Sequence, residues 1–371
     1  MKEKIRRHGR VLPLFVAGAV AVSGLTGCGG STASSSGASV SGSSGDGSYA
    51  GQTLSVYTWP EYIPDSVLSD FEDKYGVKVN LTTFDSNEEM LSKVQASADG
   101  TYDIVMPSDY MVKDMIDEGM LAELDMKALT NFKNLDEQYL DQEYDPGNKY
   151  SVPFSPGMGI PCYNKAELGD GAITKLSDLF DSKYENGIVI LDEVKEIIGM
   201  TNKSLGYSLN ETDPDKLANT EKMLEELKKN VYTMTIEATQ EYLLSGEVSV
   251  GYMYNGNVAM GQLENEDIVA VWPEEGSYKW VDNICILKSS KKQELANLFI
   301  NYILDADVDV KIRTEIPSAD PNAAGWAKMD DKYKKTALVI PQDCWDKSEF
   351  AATLDDETNE LYTRMWTEFT Q

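Results

Sequence analysis

Aromatic and acidic residues recur in short clusters along this chain, and the clusters define a chemistry. Trp59-Pro60-Glu61-Tyr62 comes first, then Pro107-Ser108-Asp109-Tyr110 and the pair Glu193 and Glu196; Tyr254 and Trp280-Val281-Asp282 follow. Carboxylates can receive ammonium groups as these leave water, because a buried charge without a counter-ion is very costly. Flat apolar walls suit the methylenes between two such groups, at about 0.8 kcal/mol per buried CH₂. An aromatic face adds a cation–π attraction of roughly 0.5–2 kcal/mol. The set therefore fits an organic polycation with an aliphatic body. Taken singly, each residue also has an ordinary role. Trp59, Tyr62, Tyr254 and Trp280 can be core or rim aromatics, Glu193 and Glu196 a solvated first helical turn at i, i+3, and Asp282 a strand-edge charge.

The composition narrows the alternatives. The chain has 371 residues and a formal charge of −29, from 62 acids against 33 bases. Such a chain repels nucleic acid and anionic headgroups and offers a cation a favourable average field. Its single histidine, His8, lies in the N-terminal leader. Mechanisms that need an imidazole, from Ser-His-Asp catalysis to His-ligated zinc, are thereby excluded for the exported chain. Cys162, Cys285 and Cys344 show no CxxC spacing and read as packing residues, so no metal and no cofactor is expected. The stretch 256–263 mimics a P-loop frame but lacks its Lys and Ser/Thr. A glycosidase pair must face a bond from two sides about 5–9.5 Å apart, which Glu193 and Glu196 on one turn serve poorly.

The elements that must position these clusters follow from hydrophobic periodicity. Strands are predicted over 53–59, 77–84 and 102–106, alternating with helices over 63–75, 86–98 and 111–120. Further strands are predicted over 151–154, 160–164, 188–191, 248–254, 268–271 and 281–287. Helices are predicted over 193–205, 214–229, 240–244, 292–304 and 306–314. The βαβ order predicts an α/β fold with a mainly parallel sheet flanked by helices. Most of the clusters fall just after strands, where open α/β sheets bind their ligands.

The N-terminus reads as an export signal. Five Lys/Arg lie within residues 1–10, an apolar run too short to span a bilayer covers 11–24, and Leu25-Thr26-Gly27-Cys28 follows. The last four resemble the lipobox of bacterial lipoproteins, in which the cysteine becomes the lipidated N-terminus. Residues 29–48 are almost wholly Gly, Ser, Ala and Thr, a flexible tether. Signal peptide 1–27 and tether 28–51 are thus expected ahead of a body too long for one typical core.

Longer stretches carry a family resemblance covering nearly all of residues 54–367. Tyr57-Thr58-Trp59-Pro60-Glu61-Tyr62, Phe84-Asp85-Ser86-Asn87-Glu88-Glu89-Met90, and Tyr102 through Tyr110 are its particular motifs, with Leu129 through Leu135, Gly246 through Gly256, and Val271-Trp272-Pro273-Glu274-Glu275-Gly276. The chain resembles the spermidine/putrescine-binding proteins of ABC importers, in their lipoprotein form. The resemblance implies a two-lobed, type II periplasmic-binding-protein-like fold that closes on its ligand about a hinge. Lobe 1 is then expected over 52–157 plus 280–320, and lobe 2 over 158–279 plus 321–371. It further implies no catalysis, a monomer that hands a polyamine to a permease, and attachment to the outer side of the cell membrane only through the lipid on Cys28. By motif, Glu61, Glu193, Glu196 and Asp282 would meet ligand nitrogens, and Trp59, Tyr62, Tyr254 and Trp280 would line the methylene path. Ser108 and Tyr110 fall on a strand-end motif, and Asp346 stands where the family commonly has Gln. Ile316 replaces a frequent Tyr, and Glu193 a more usual Asp. Rival readings at this level are the same architecture binding another small organic cation, a carboxylate-only extracellular hydrolase, and a surface receptor without transported cargo.

Overall fold

Every strand that precedes a cluster is short and apolar, and the ten strands join in one curled sheet. In the computed structural model, which describes residues 49–371, the strands are β1 Thr53–Thr58, β2 Lys78–Thr83, β3 Ile104–Val105, β4 Ser151–Asn164, β5 Ile188–Ile190, β6 Val231–Met234, β7 Val250–Tyr254, β8 Ile268–Ala270, β9 Tyr278–Ile286 and β10 Glu349–Phe350. Their order is β2-β1-β3-β9-β4-β7-β5-β6, with β10 added to β9 and β8 to β4. The leader, Cys28 and residues 29–48 of the tether lie outside the described residues.

The outer strands pair in parallel, β2 with β1 with β3 and β6 with β5 with β7, as the alternation of strand and helix requires. The centre differs. β9 runs antiparallel to both β3 and β4, and β4 runs antiparallel to β7 and β8, so the sheet is mixed rather than mainly parallel. The reason is β4. It is one continuous strand of 14 residues where the pattern predicts two short ones. Its first half pairs with β9, from Ser151 opposite Cys285 to Met158 opposite Lys279; from Gly159 onward it pairs with β7. Pro153, Pro156, Gly157, Gly159 and Pro161 look like loop punctuation in sequence, yet here they sit in one strand, with a register shift between Pro153 and Ser155 and a change of partner at Gly159. Gly157 is also required sterically, because a Cβ there would stand 2.0 Å from the indole of Trp280.

Helices pack this sheet from outside. Asp65–Tyr75 buries Val67 and Phe71, and stops at Gly76 in the left-handed region (φ 69°). Phe71 meets Phe299 of helix Gln293–Ile303 edge-on at 5.0 Å, closing a core with Leu54 and Val56 of β1. Asn87–Ala96 is capped by Ser86, whose hydroxyl accepts from the Glu89 amide, as the motif predicts. Asn255–Glu264 is a helix the sequence reading missed, since Gly256 and Gly261 suggest a loop; Gly261 instead lets Ile268 approach closely. Asp356–Thr370 was missed too. Cys162, Cys285 and Cys344 are buried and unbridged. No helix among the described residues is long and apolar enough to cross a membrane.

Candidate functional site

The strand ends open onto a cavity of about 560 Å³, a size that suits a small organic ligand. The turn after β1 contributes Trp59 and Tyr62, and the segment after β3 contributes Ser108 and Tyr110. β5 is followed by helix Val194–Ser204, whose N-cap is Glu193 and whose first turn carries Glu196. β7 ends at Tyr254. β9 presents alternate residues to one face, so Trp280 and Asp282 arrive together. Nine of the eleven sequence-predicted ligand residues thus line one space.

Two do not. Glu61 is exposed in the turn after β1, at φ 56°, and the turn sends its neighbours Trp59 and Tyr62 inward in its place. Asp346 is exposed on helix Gln342–Lys347, where its carboxylate accepts from Gln342 at 2.7 Å. Trp345, one residue away, takes the buried face of that helix, packed edge-on against Tyr139. Both carboxylates lie outside the cavity.

A hydrogen-bond chain fixes the β3 side. Asp282 accepts from Ser108 Oγ at 2.6 Å and from Tyr62 Oη at 2.5 Å. Asn87 holds Ser108 in turn: its amide donates to Ser108 Oγ and to Tyr110 Oη, both at 3.1 Å, and its carbonyl accepts from the Ser108 backbone. Tyr110 Oη donates onward to Glu88. In the sequence Asn87 and Glu88 stand out only as part of a family motif; a buried Asn that opens a helix beside a strand end is the signal that could have placed them. Tyr278 was missed as well. It lies stacked at 5.6 Å on Trp280, while Tyr254 meets that indole edge-on at 4.9 Å. Extending the alternation of Trp280 and Asp282 back by two residues finds it.

The acids differ sharply in their surroundings. Burial pushes the Asp282 carboxyl up to about 6, against the hydrogen bonds from Ser108, Tyr62 and Trp280. Glu196 is only 4% exposed, and neither of its oxygens has a hydrogen-bond partner among the described residues. Burial raises it well above the carboxylate range, and the neighbouring Glu193 raises it further. Glu193 is itself raised by burial, then by Asp192 and Glu88. Native structures rarely leave a buried carboxylate unpaired. The arrangement is that of a receptor for positive charge between aromatic walls. A second cavity, about 440 Å³ beside Tyr102 and Met120, has only the exposed Asp99 as an acid and lacks this chemistry.

Comparisons with known proteins place this geometry. A family model described as bacterial extracellular solute-binding protein matches residues 66–350. The spermidine/putrescine-binding periplasmic protein of Salmonella typhimurium is 34% identical over 289 residues, covering 78% of this chain and 83% of its own. A putrescine/cadaverine-binding protein of Pseudomonas aeruginosa is 28% identical over 332 residues, covering 86% and 94%. The crystal structure of a spermidine/putrescine ABC transporter substrate-binding protein from Streptococcus pneumoniae superposes with a TM-score of 0.77 at 31% identity, over 86% of this chain and 98% of that one.

The unpaired acid has a consequence for stability. A carboxyl whose folded pKa is raised favours the native state most below its unfolded value, 4.5, and that contribution is lost as pH rises. Glu196→Gln is therefore expected to stabilise the unliganded protein near neutral pH by on the order of 1–3 kcal/mol. The gain should vanish near pH 4, where both side chains are neutral. Thermal unfolding of parent and variant across this range checks it; an equal shift at every pH would show that Glu196 carries no buried charge.

Proposed function

The chain belongs to the family of bacterial extracellular solute-binding proteins, and from that premise we propose that it captures a small polyamine, putrescine or spermidine, in the cavity and delivers it to an ABC importer. The observation that carries the reading is Glu196, a buried carboxylate without a hydrogen-bond partner among the described residues, in the cavity lined by Tyr254, Tyr278 and Trp280. One ligand ammonium pairs with Glu196 and a second with Asp282. The aromatic rings cover the methylenes between them. The names of the relatives support the same ligand class. Binding, transfer and release without bond-making need no catalytic group and no cofactor.

The proposal includes closure. Lobe 1 (52–157 plus 280–320) and lobe 2 (158–279 plus 321–371) swing about the segment where β4 passes from β9 to β7, bringing Glu193 and Glu196 against the wall formed by Trp59, Tyr62 and Asp282. Closing the cleft excludes water, which strengthens every ammonium–carboxylate contact. The protein acts as a monomer on the extracytoplasmic side, held by lipid on Cys28 at the end of a Gly/Ser tether. A Cys28→Ala chain should be released from the membrane fraction; a full-length variant that still pelleted with membranes would overturn the anchor.

Calorimetry with putrescine, cadaverine, spermidine and spermine tests the ligand class. The double variant Glu193→Gln, Glu196→Gln keeps the shape while removing two charges, and should lose roughly 2–5 kcal/mol, about 30- to several-thousand-fold in affinity. Trp280→Leu should cost roughly 1–3 kcal/mol by removing wall and cation–π attraction. A double variant that binds diamine and triamine like the parent would show that these glutamates do not pair with ligand ammonium groups.

A further inference from the structure

One side chain in the cleft has the wrong sign for a cation receptor. Lys195 stands between Glu193 and Glu196 in sequence and lines the same cavity, where it is the one basic residue among five acids. It is half-buried, and its ammonium lies 5.3 Å from the centroid of the Tyr110 ring. It takes part in none of the ion pairs found among the described residues. It also occupies the first turn of an 11-residue helix, where the backbone dipole disfavours positive charge. Neither an ion pair nor the helix therefore explains why a cation is held there, and the Tyr110 ring is its one partner in the cleft among the described residues.

The distribution of acids around it does. Asp282 and Glu196 are the most deeply buried, at 3% and 4% exposure. Glu88 and Glu193 face each other closely enough to raise the Glu193 carboxyl, and Glu88 accepts from the hydroxyl of the ring that Lys195 overlies. Lys195 reaches the same end, where its charge also acts on Asp114. The cleft thus holds two deep acids and, toward Tyr110, the shallower Glu88 and Glu193 together with the Lys195 ammonium over the Tyr110 ring.

We propose that Lys195 is a tethered counter-cation that sets the charge and length of the ligand, making this cleft selective for a diamine over a triamine. The proposal rests on the polyamine reading above. In the binding mode proposed above, the two ammonium groups of a diamine pair with Glu196 and Asp282, which line the same cavity. A third, on a longer chain, is driven toward the Tyr110 end and meets the Lys195 ammonium at close range, and such like-charge contacts discriminate strongly between ligands. Specificity here comes from a repulsive element rather than from an added contact.

Titration of the full chain and two variants with putrescine and spermidine, at one ionic strength, tests this. Lys195→Gln keeps much of the packing over Tyr110 without the charge; it should raise spermidine affinity about tenfold or more beyond any gain it gives putrescine. Lys195→Arg keeps the charge and should keep the parent's preference, which a merely structural role would not distinguish. Equal changes for both amines in Lys195→Gln, or none, would overturn the role of Lys195 while leaving the polyamine reading intact. A parent chain that binds neither amine would overturn the polyamine reading itself, and the selectivity with it.

Discussion

A carboxylate held away from water without a counter-ion is among the most costly features a fold can carry. Among the described residues this protein holds one at Glu196 and a second, satisfied only by hydroxyl and indole donors, at Asp282. Both can keep a proton at mildly acidic pH, which limits that cost. On the polyamine reading proposed above, the same cost favours binding: a ligand bearing two ammonium groups would supply the counter-charges, removing an energetic penalty as well as adding contacts.

Position is enforced from the sheet inward. β9 carries Tyr278, Trp280 and Asp282 on one face because side chains alternate along a strand, and antiparallel pairing to β4 fixes that face toward the cleft. Gly157 of β4 lies directly beneath the indole, in space no other residue could leave free. Asn87, at the start of its helix, locks Ser108, and Ser108 locks Asp282. The acids on the opposite wall come from the N-terminal turn of one helix. A single continuous strand, β4, pairs with β9 of one wall and β7 of the other.

Much of this was legible in the sequence, and the failures have physical causes. The strand-then-cluster pattern located Trp59, Tyr62, Ser108, Tyr110, Glu193, Glu196, Tyr254, Trp280 and Asp282, because the ends of strands are where an α/β sheet opens. Glu61 stands apart from the cavity because sequence adjacency does not fix direction: its turn sends Trp59 and Tyr62 inward and the carboxylate out. Asp346 stands apart for a similar reason, its helix burying Trp345 and exposing the next residue. Tyr278 and Asn87 were hidden by attention to the cluster rather than the period. Lys195 was passed over because a cation is the last residue type sought in a site for cations. The continuous β4 was obscured by its prolines and glycines, which look like loop punctuation in sequence.

The central claim, that ligand ammonium groups replace protons on buried carboxyls, is tested most directly by measuring proton release. Titrating putrescine into the protein in buffers of differing ionisation heat, at several pH values between about 5 and 8, gives the number of protons displaced. The free Asp282 carboxyl sits at about 6 and Glu196 well above 4.5, while an alkylammonium keeps its charge to about pH 10. Ammonium pairing lowers both carboxyls, so binding should release protons toward the acidic side of that range, on the order of one per ligand, and affinity should rise with pH. Binding with no proton exchange and an affinity independent of pH across the range would contradict it.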